Sequence, residues 1–166
     1  FVDGSSDVVL DTTYKEYLFY FVNMHPSADG ANFQFNGSSD TGSNYNITKS
    51  TTWWKSTHNE ADNSYALSYD NGMDLAQSTA FQNLNENTGA DADQGFSGFL
   101  HLFNPASTTF VKLFSIVGCT IQNADYMQHS FVSGYFNTTS AVDAIQFKFD
   151  SGNIDAGSIF LHGIST

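Results

Sequence analysis

Ile145-Gln146-Phe147-Lys148-Phe149-Asp150, followed after a short glycine-bearing connection by Ser158-Ile159-Phe160-Leu161-His162-Gly163-Ile164, is the stretch that decides the fold. Apolar Ile145, Phe147 and Phe149 alternate with polar Gln146, Lys148 and Asp150, the period of two that a strand shows when one face meets a core and the other meets water. Gly152 and Gly157 read as the brackets of a turn. A last strand then places Ile159 and Leu161 on one face and Phe160 and His162 on the other. The chain is expected to finish inside its sheet.

Segments of the same kind recur upstream, with turn residues between them. Residues 8–10 read as a short opening strand and 14–25 as a long one, apolar on both faces and so expected to be central and buried. Residues 31–36, 45–58, 64–69, 96–103, 109–121 and 127–137 follow, for about ten strands in all. Residues 70–93 are the least sheet-like part, and the spacing of Leu75, Phe81 and Leu84 suits a short helix. Many antiparallel strands with few helix-forming runs between them predict an all-β fold. The expected form is an antiparallel jelly-roll β-sandwich in which first and last strands lie side by side.

Length and composition set the bounds of function. At 166 residues the chain makes one domain, 1–166, large enough to bury roughly 70% of the surface an unfolded chain exposes. Its start at Phe1 reads as the ordered C-terminal part of a longer chain. Five lysines, no arginine and 17 carboxylates give a net charge of −12, which makes nucleic acid and anionic membranes poor partners. No apolar run reaches the length of a membrane-spanning helix. Cys119, the one cysteine, lies in the apolar run Ile116-Val117-Gly118-Cys119-Thr120-Ile121 and reads as a buried small hydrophobe.

Catalytic signatures are weak. Gly95-Phe96-Ser97-Gly98 is not a nucleophile elbow, because no helix follows it, and the five histidines stand apart with no metal-ligand spacing. The chain therefore reads as non-enzymatic. Asp91-Ala92-Asp93-Gln94-Gly95 clusters carboxylates in a loop, which suits a hard cation, so Asp91 and Asp93 are the candidate calcium ligands; no other cofactor is indicated. Trp53 and Trp54 are adjacent in an expected strand and so point to opposite faces. Whichever ring is exposed is a candidate to stack on a sugar or to sit in a subunit interface.

Several phrases, taken together and in order, carry a resemblance. They are Tyr17-Leu-Phe-Tyr-Phe-Val-Asn-Met-His-Pro26, Gly42-Ser-Asn-Tyr-Asn-Ile-Thr48, Asp74-Leu-Ala-Gln-Ser-Thr-Ala80, Asn104-Pro-Ala-Ser-Thr-Thr109 and the segment from Gly134 through Ile164. The chain resembles a family of virion structural domains of tailed bacteriophages, abundant in marine settings. That resemblance implies a fibre, appendage or capsid-decoration module on the virion. Its partners would be itself, as a homo-oligomer such as a trimer, other virion proteins and a host surface glycan. No role carries over to Trp53, Trp54 or Cys119, which have no counterpart in the pattern.

Overall fold

A computed structural model describes residues 1–165, and in it the chain is all-β. Ten strands run in order as β1 Glu16–Pro26, β2 Phe33–Ser38, β3 Lys49–Asn59, β4 Tyr65–Tyr69, β5 Gln82–Asn83, β6 Gly95–Phe103, β7 Lys112–Ile121, β8 Tyr126–Phe136, β9 Ala144–Phe149 and β10 Ile154–Ile164. They form a large sheet of seven strands, β10-β1-β6-β7-β8-β3-β4, and a small one of three, β5-β2-β9. Every ladder is antiparallel.

The small sheet covers the inner face of the large one, and the layer between them is mostly aromatic. Phe33 and Phe147 of the small sheet meet Phe21 of the large sheet at 5.3 and 5.0 Å between ring centroids, both edge to face. Phe35 meets Phe114 at 5.1 Å and Phe136 at 5.9 Å. Edge-on contacts of this kind set the ring quadrupoles favourably and fill space without voids. Tyr17, Phe19, Trp53, Leu100, Leu102 and Val132 complete the same core.

The closing stretch behaves largely as its pattern predicts. In β9, Ile145 and Phe149 are buried while Gln146 and Lys148 are not, and β10 packs Ile159 and Leu161 against the core. The two strands belong to different sheets, however, so their connection carries the chain from one layer to the other. First and last strands do lie side by side, with Glu16 opposite Ile164 and Tyr20 opposite Phe160.

Strand β1 departs from its reading in an informative way. Its flanks are paired on both sides, yet only one face is buried: Tyr17, Phe19 and Phe21 are inside, whereas Tyr20 and Val22 are 43% and 46% exposed. A bulge then shifts the register between Phe21 and Met24, and the parity flips so that Met24 enters the core. Asn23 takes a positive φ of 50° at the bulge, and its amide donates to Ser97 Oγ at 3.0 Å. Gly157, expected in a turn, instead lies within β10 opposite this bulge. Its φ is +119°, and a Cβ there would sit 2.7 Å from the Asn23 carbonyl oxygen.

Two further expectations are corrected. Residues 8–10 form no strand; the segment turns on itself, with Val8 donating to the Ser5 carbonyl and the Leu10 amide held by Asp3 Oδ1 at 2.7 Å. Residues 70–93 form no helix. Their only regular element is β5, and the rest is irregular chain whose backbone is satisfied by buried amides and hydroxyls. Gln82 accepts from Thr51 Oγ1 at 2.6 Å and donates to the Met73 carbonyl at 2.9 Å, while Asn85 accepts from the Phe33 amide at 2.7 Å. A spacing of Leu75, Phe81 and Leu84 that suits a helix cannot prevail where those polar side chains already bind the main chain.

Candidate functional site

The tryptophan pair divides as strand parity requires. Trp53 is fully buried; its indole Nε1 donates to the Asn83 carbonyl at 3.1 Å, and Lys55 Nζ lies 5.6 Å from its ring centroid. Trp54 faces outward, 39% exposed, and stacks on Phe131 with centroids 4.1 Å apart and planes within 9°. Lys55 bridges Asp70, at 3.1 Å, and Glu86. Burial works against its charge, but the two carboxylates outweigh that and raise its pKa. Both acids are consumed by one ammonium, an arrangement that makes a strut beneath Trp53.

Trp54 proves to be one member of a longer array. Following the register across the large sheet gives Phe160, Tyr20, Phe99, Val117, Phe131, Trp54 and Tyr69, one residue from each of the seven strands, in a single row on the outer face. Six of these seven are aromatic, and Phe160, Tyr20 and Tyr69 are 50%, 43% and 55% exposed. At an inter-strand spacing of about 4.8 Å, the row extends roughly 29 Å. The sequence could not show it, because each ring comes from a different segment and only the register aligns them.

The same face is depleted of charge. Along its strands Glu16, which accepts from His101 Nε2 at 2.9 Å, is the carboxylate on the body of the face, and Asp155 of β10 adds one at its end. Histidines take the places that charges usually fill, and they lean on the rings. His101 leans against Phe103 at 4.0 Å and His129 against Phe131 at 4.2 Å, both with tilted planes, and His162 meets Tyr20 edge-on at 5.5 Å. With 17 acidic residues in the chain, a face this large with Glu16 on its body and Asp155 at its end is a segregation of charge into the loops and rims.

Cys119 is the clearest correction to the sequence reading: it is exposed, on this outer face, in register with Ser97 and His129. The run 116–121 is apolar at both parities, so hydrophobicity alone could not choose its side. Buried Phe114, Ile116 and Thr120 show the inner parity of β7, which leaves Cys119 out.

Asp91 and Asp93 are both exposed in the turn that precedes β6. That turn is closed by the chain itself, with the Asp91 carbonyl accepting from the Gln94 amide at 2.9 Å and from His25 Nε2 at 2.9 Å. Among the described residues, no three His, Cys, Asp or Glu side chains come together to hold a metal ion. Asp93 instead lines a groove of about 630 Å³ at the end of the outer face, with His25, Phe96, Cys119, Met127 and Asp155.

Sequence reasoning also passed over two buried cations. Lys49 and Lys112 are wholly buried, in register on either side of Phe136. Lys49 Nζ donates to the Ala80 carbonyl at 2.6 Å, and Lys112 Nζ donates to the carbonyls of Thr138 and Ser140. Among the described residues neither has a carboxylate partner, and desolvation lowers both pKa values, that of Lys49 to about 7. Counting back by twos from Trp53 and from Ile116 places both lysines on the inner parity, the one signal that could have found them.

No helix among the described residues is long and apolar enough to cross a membrane. Comparison of the chain with models of known protein families, with curated proteins and with solved structures gives no match.

Proposed function

We propose that this chain is a non-enzymatic structural domain of a tailed-phage virion, a fibre, appendage or capsid-decoration module that acts by symmetric assembly on the particle. The observation that carries the assembly reading is the aromatic row on a nearly uncharged outer face. An acidic protein of net charge −12 stays apart from most surfaces. Where it withdraws charge and displays rings instead, the composition has the two marks of an interface core, aromatic enrichment and depletion of charge. The virion setting rests on the ordered phrases of the sequence. The jelly-roll reading belongs to the same proposal, and the adjacency of β1 and β10 supports it.

An antibody to the chain, used for immunogold microscopy of gradient-purified tailed particles, tests this reading. Label at regular positions on fibres or capsids, with peptides of the chain in digests of the same particles, is the expected result. Particles that carry neither label nor peptides overturn it.

Trp54 itself favours a second reading, a carbohydrate-binding module for host glycans. Phe131 covers one face of the indole, and Thr52 and Ser56, two residues before and after Trp54 on the same side of β3, carry hydroxyls of the kind that catch sugar hydroxyls. A glycan array probed with calcium present would show binding that Trp54→Ala abolishes; a blank array removes this reading.

A further inference from the structure

We propose that the outer face of the large sheet is covered by the same face of a second copy, in an isologous pair whose two-fold axis runs along β7 above Val117 and Cys119. The proposal rests on the assembly reading above and names its partner.

Charge selects the partner first. Two chains of net charge −12 repel wherever their acidic loops meet, and the outer face is where a second copy can approach without setting carboxylate against carboxylate. Of its strand acids, Glu16 is already engaged by His101, and Asp155 lies at the end of the face, away from the row. A strongly charged partner of either sign finds no array of counter-charges on this face, whereas another copy brings an equally neutral one.

Size is sufficient. Six inter-strand steps by three steps along each strand span roughly 29 by 20 Å, about 900 Å² once the marginal side chains are included. A stable interface takes about 800 Å² from each partner. Two sheets of like twist stack face to face with strands within about 30° of one another, as in the core of a sandwich.

The order of residues in the row is self-complementary. Read outward from Val117, Phe99 corresponds to Phe131, Tyr20 to Trp54, and Phe160 to Tyr69. A two-fold axis along β7 reverses the row and sets Phe99 of one copy opposite Phe131 of the other, then Tyr20 opposite Trp54 and Phe160 opposite Tyr69. An isologous interface requires this kind of match. Small Ser115, Val117 and Cys119 lie on the axis itself and leave a trough into which the flanking rings interdigitate. Cys119, the one cysteine of the chain, then faces its own copy across the layer.

Sedimentation velocity and light scattering on the purified chain, together with a short bis-maleimide, test the pairing. The wild-type chain is expected to be a dimer whose two Cys119 thiols the reagent joins. Val117→Lys, which sets two ammonium groups face to face in a desolvated layer, should raise the dissociation constant by about a hundredfold or more while circular dichroism stays native. Should that variant fail to fold, Tyr20→Lys, at an exposed position off the axis, takes its place. A monomer at all concentrations, a trimer, a dimer indifferent to both substitutions, or a dimer whose Cys119 thiols are not joined each overturn the proposal. A monomer found on virions by the immunogold test overturns the pairing alone; a monomer absent from them removes the assembly reading as well.

Discussion

Lys49 makes the stability of this domain depend on pH in a way that one substitution isolates. Its ammonium has a single close carbonyl partner, Ala80, and the Phe136 ring 5.9 Å away, with no carboxylate to balance it. Desolvation brings its pKa from 10.5 to about 7. At about 1.4 kcal/mol per pKa unit, the native state carries a penalty of about 4–5 kcal/mol for holding that proton. The sign follows from proton counting. Between pH 7 and 10 the unfolded chain binds the proton more fully than the native one, so stability rises with pH across that window and is flat below it. Lys112, whose pKa is also lowered by burial, acts in the same direction, while Tyr17 and Tyr45, raised by burial, oppose it only near and above pH 10. Urea unfolding followed by tryptophan fluorescence at pH 7.5, 8.5 and 9.5 therefore suits wild type and Lys49→Met side by side. The wild type is expected to gain about 2–3 kcal/mol more than the variant between the end points, because only it releases the Lys49 proton. At pH 7.5 the variant should itself be the more stable, although the Ala80 carbonyl loses its donor. Equal slopes in the two proteins would refute the reasoning, whatever their absolute stabilities.

The tryptophans should separate core from surface: in urea unfolding of the monomeric Val117→Lys background, Trp53→Ala is expected to cost about 3–5 kcal/mol and Trp54→Ala less than about 1 kcal/mol. A large loss at Trp54 would mean that its ring serves the monomer. Gly157→Ala should destabilise by about 1–3 kcal/mol, since it strains a positive φ and presses on the bulge backbone; an unchanged melting temperature would contradict the bulge geometry. Removing the chain from Ser158 onward strips β1 of its partner on one edge and should abolish cooperative unfolding, and a soluble truncation with a sharp melt would disprove the integral role of β10.

How far the sequence could be read depended on whether one strand or several had to be known. Alternation through Ile145, Phe147 and Phe149 is a property of one strand, and it holds. So does the opposition of Trp53 and Trp54. The outer row is a property of seven strands in register, and no single segment hints at it. Parity fails where a bulge intervenes, as at Asn23, because one extra residue reverses every later position. It is also silent where both parities are apolar, as in the run around Cys119. Composition misled at Lys49 and Lys112, since lysine is so seldom fully buried that its type outweighs the pattern around it. Between residues 70 and 93 the backbone is held by Gln82 and Asn85, and contacts made by buried amides leave no periodic trace.

The ladder between β1 and β10 also governs when this surface comes into being. Glu16 must find Ile164, and Tyr20 must find Phe160, across almost the whole chain. Closure over such separations is entropically unfavourable until many contacts form together, so folding is slow and comes late. During synthesis β1 waits with one edge unpaired and Phe160 not yet made. A growing or truncated chain thus displays sticky strands but lacks a finished end to its aromatic row. Only a chain that has been made through Ile164 presents the whole ladder of rings, so β10 is the strand whose synthesis finishes the outer face.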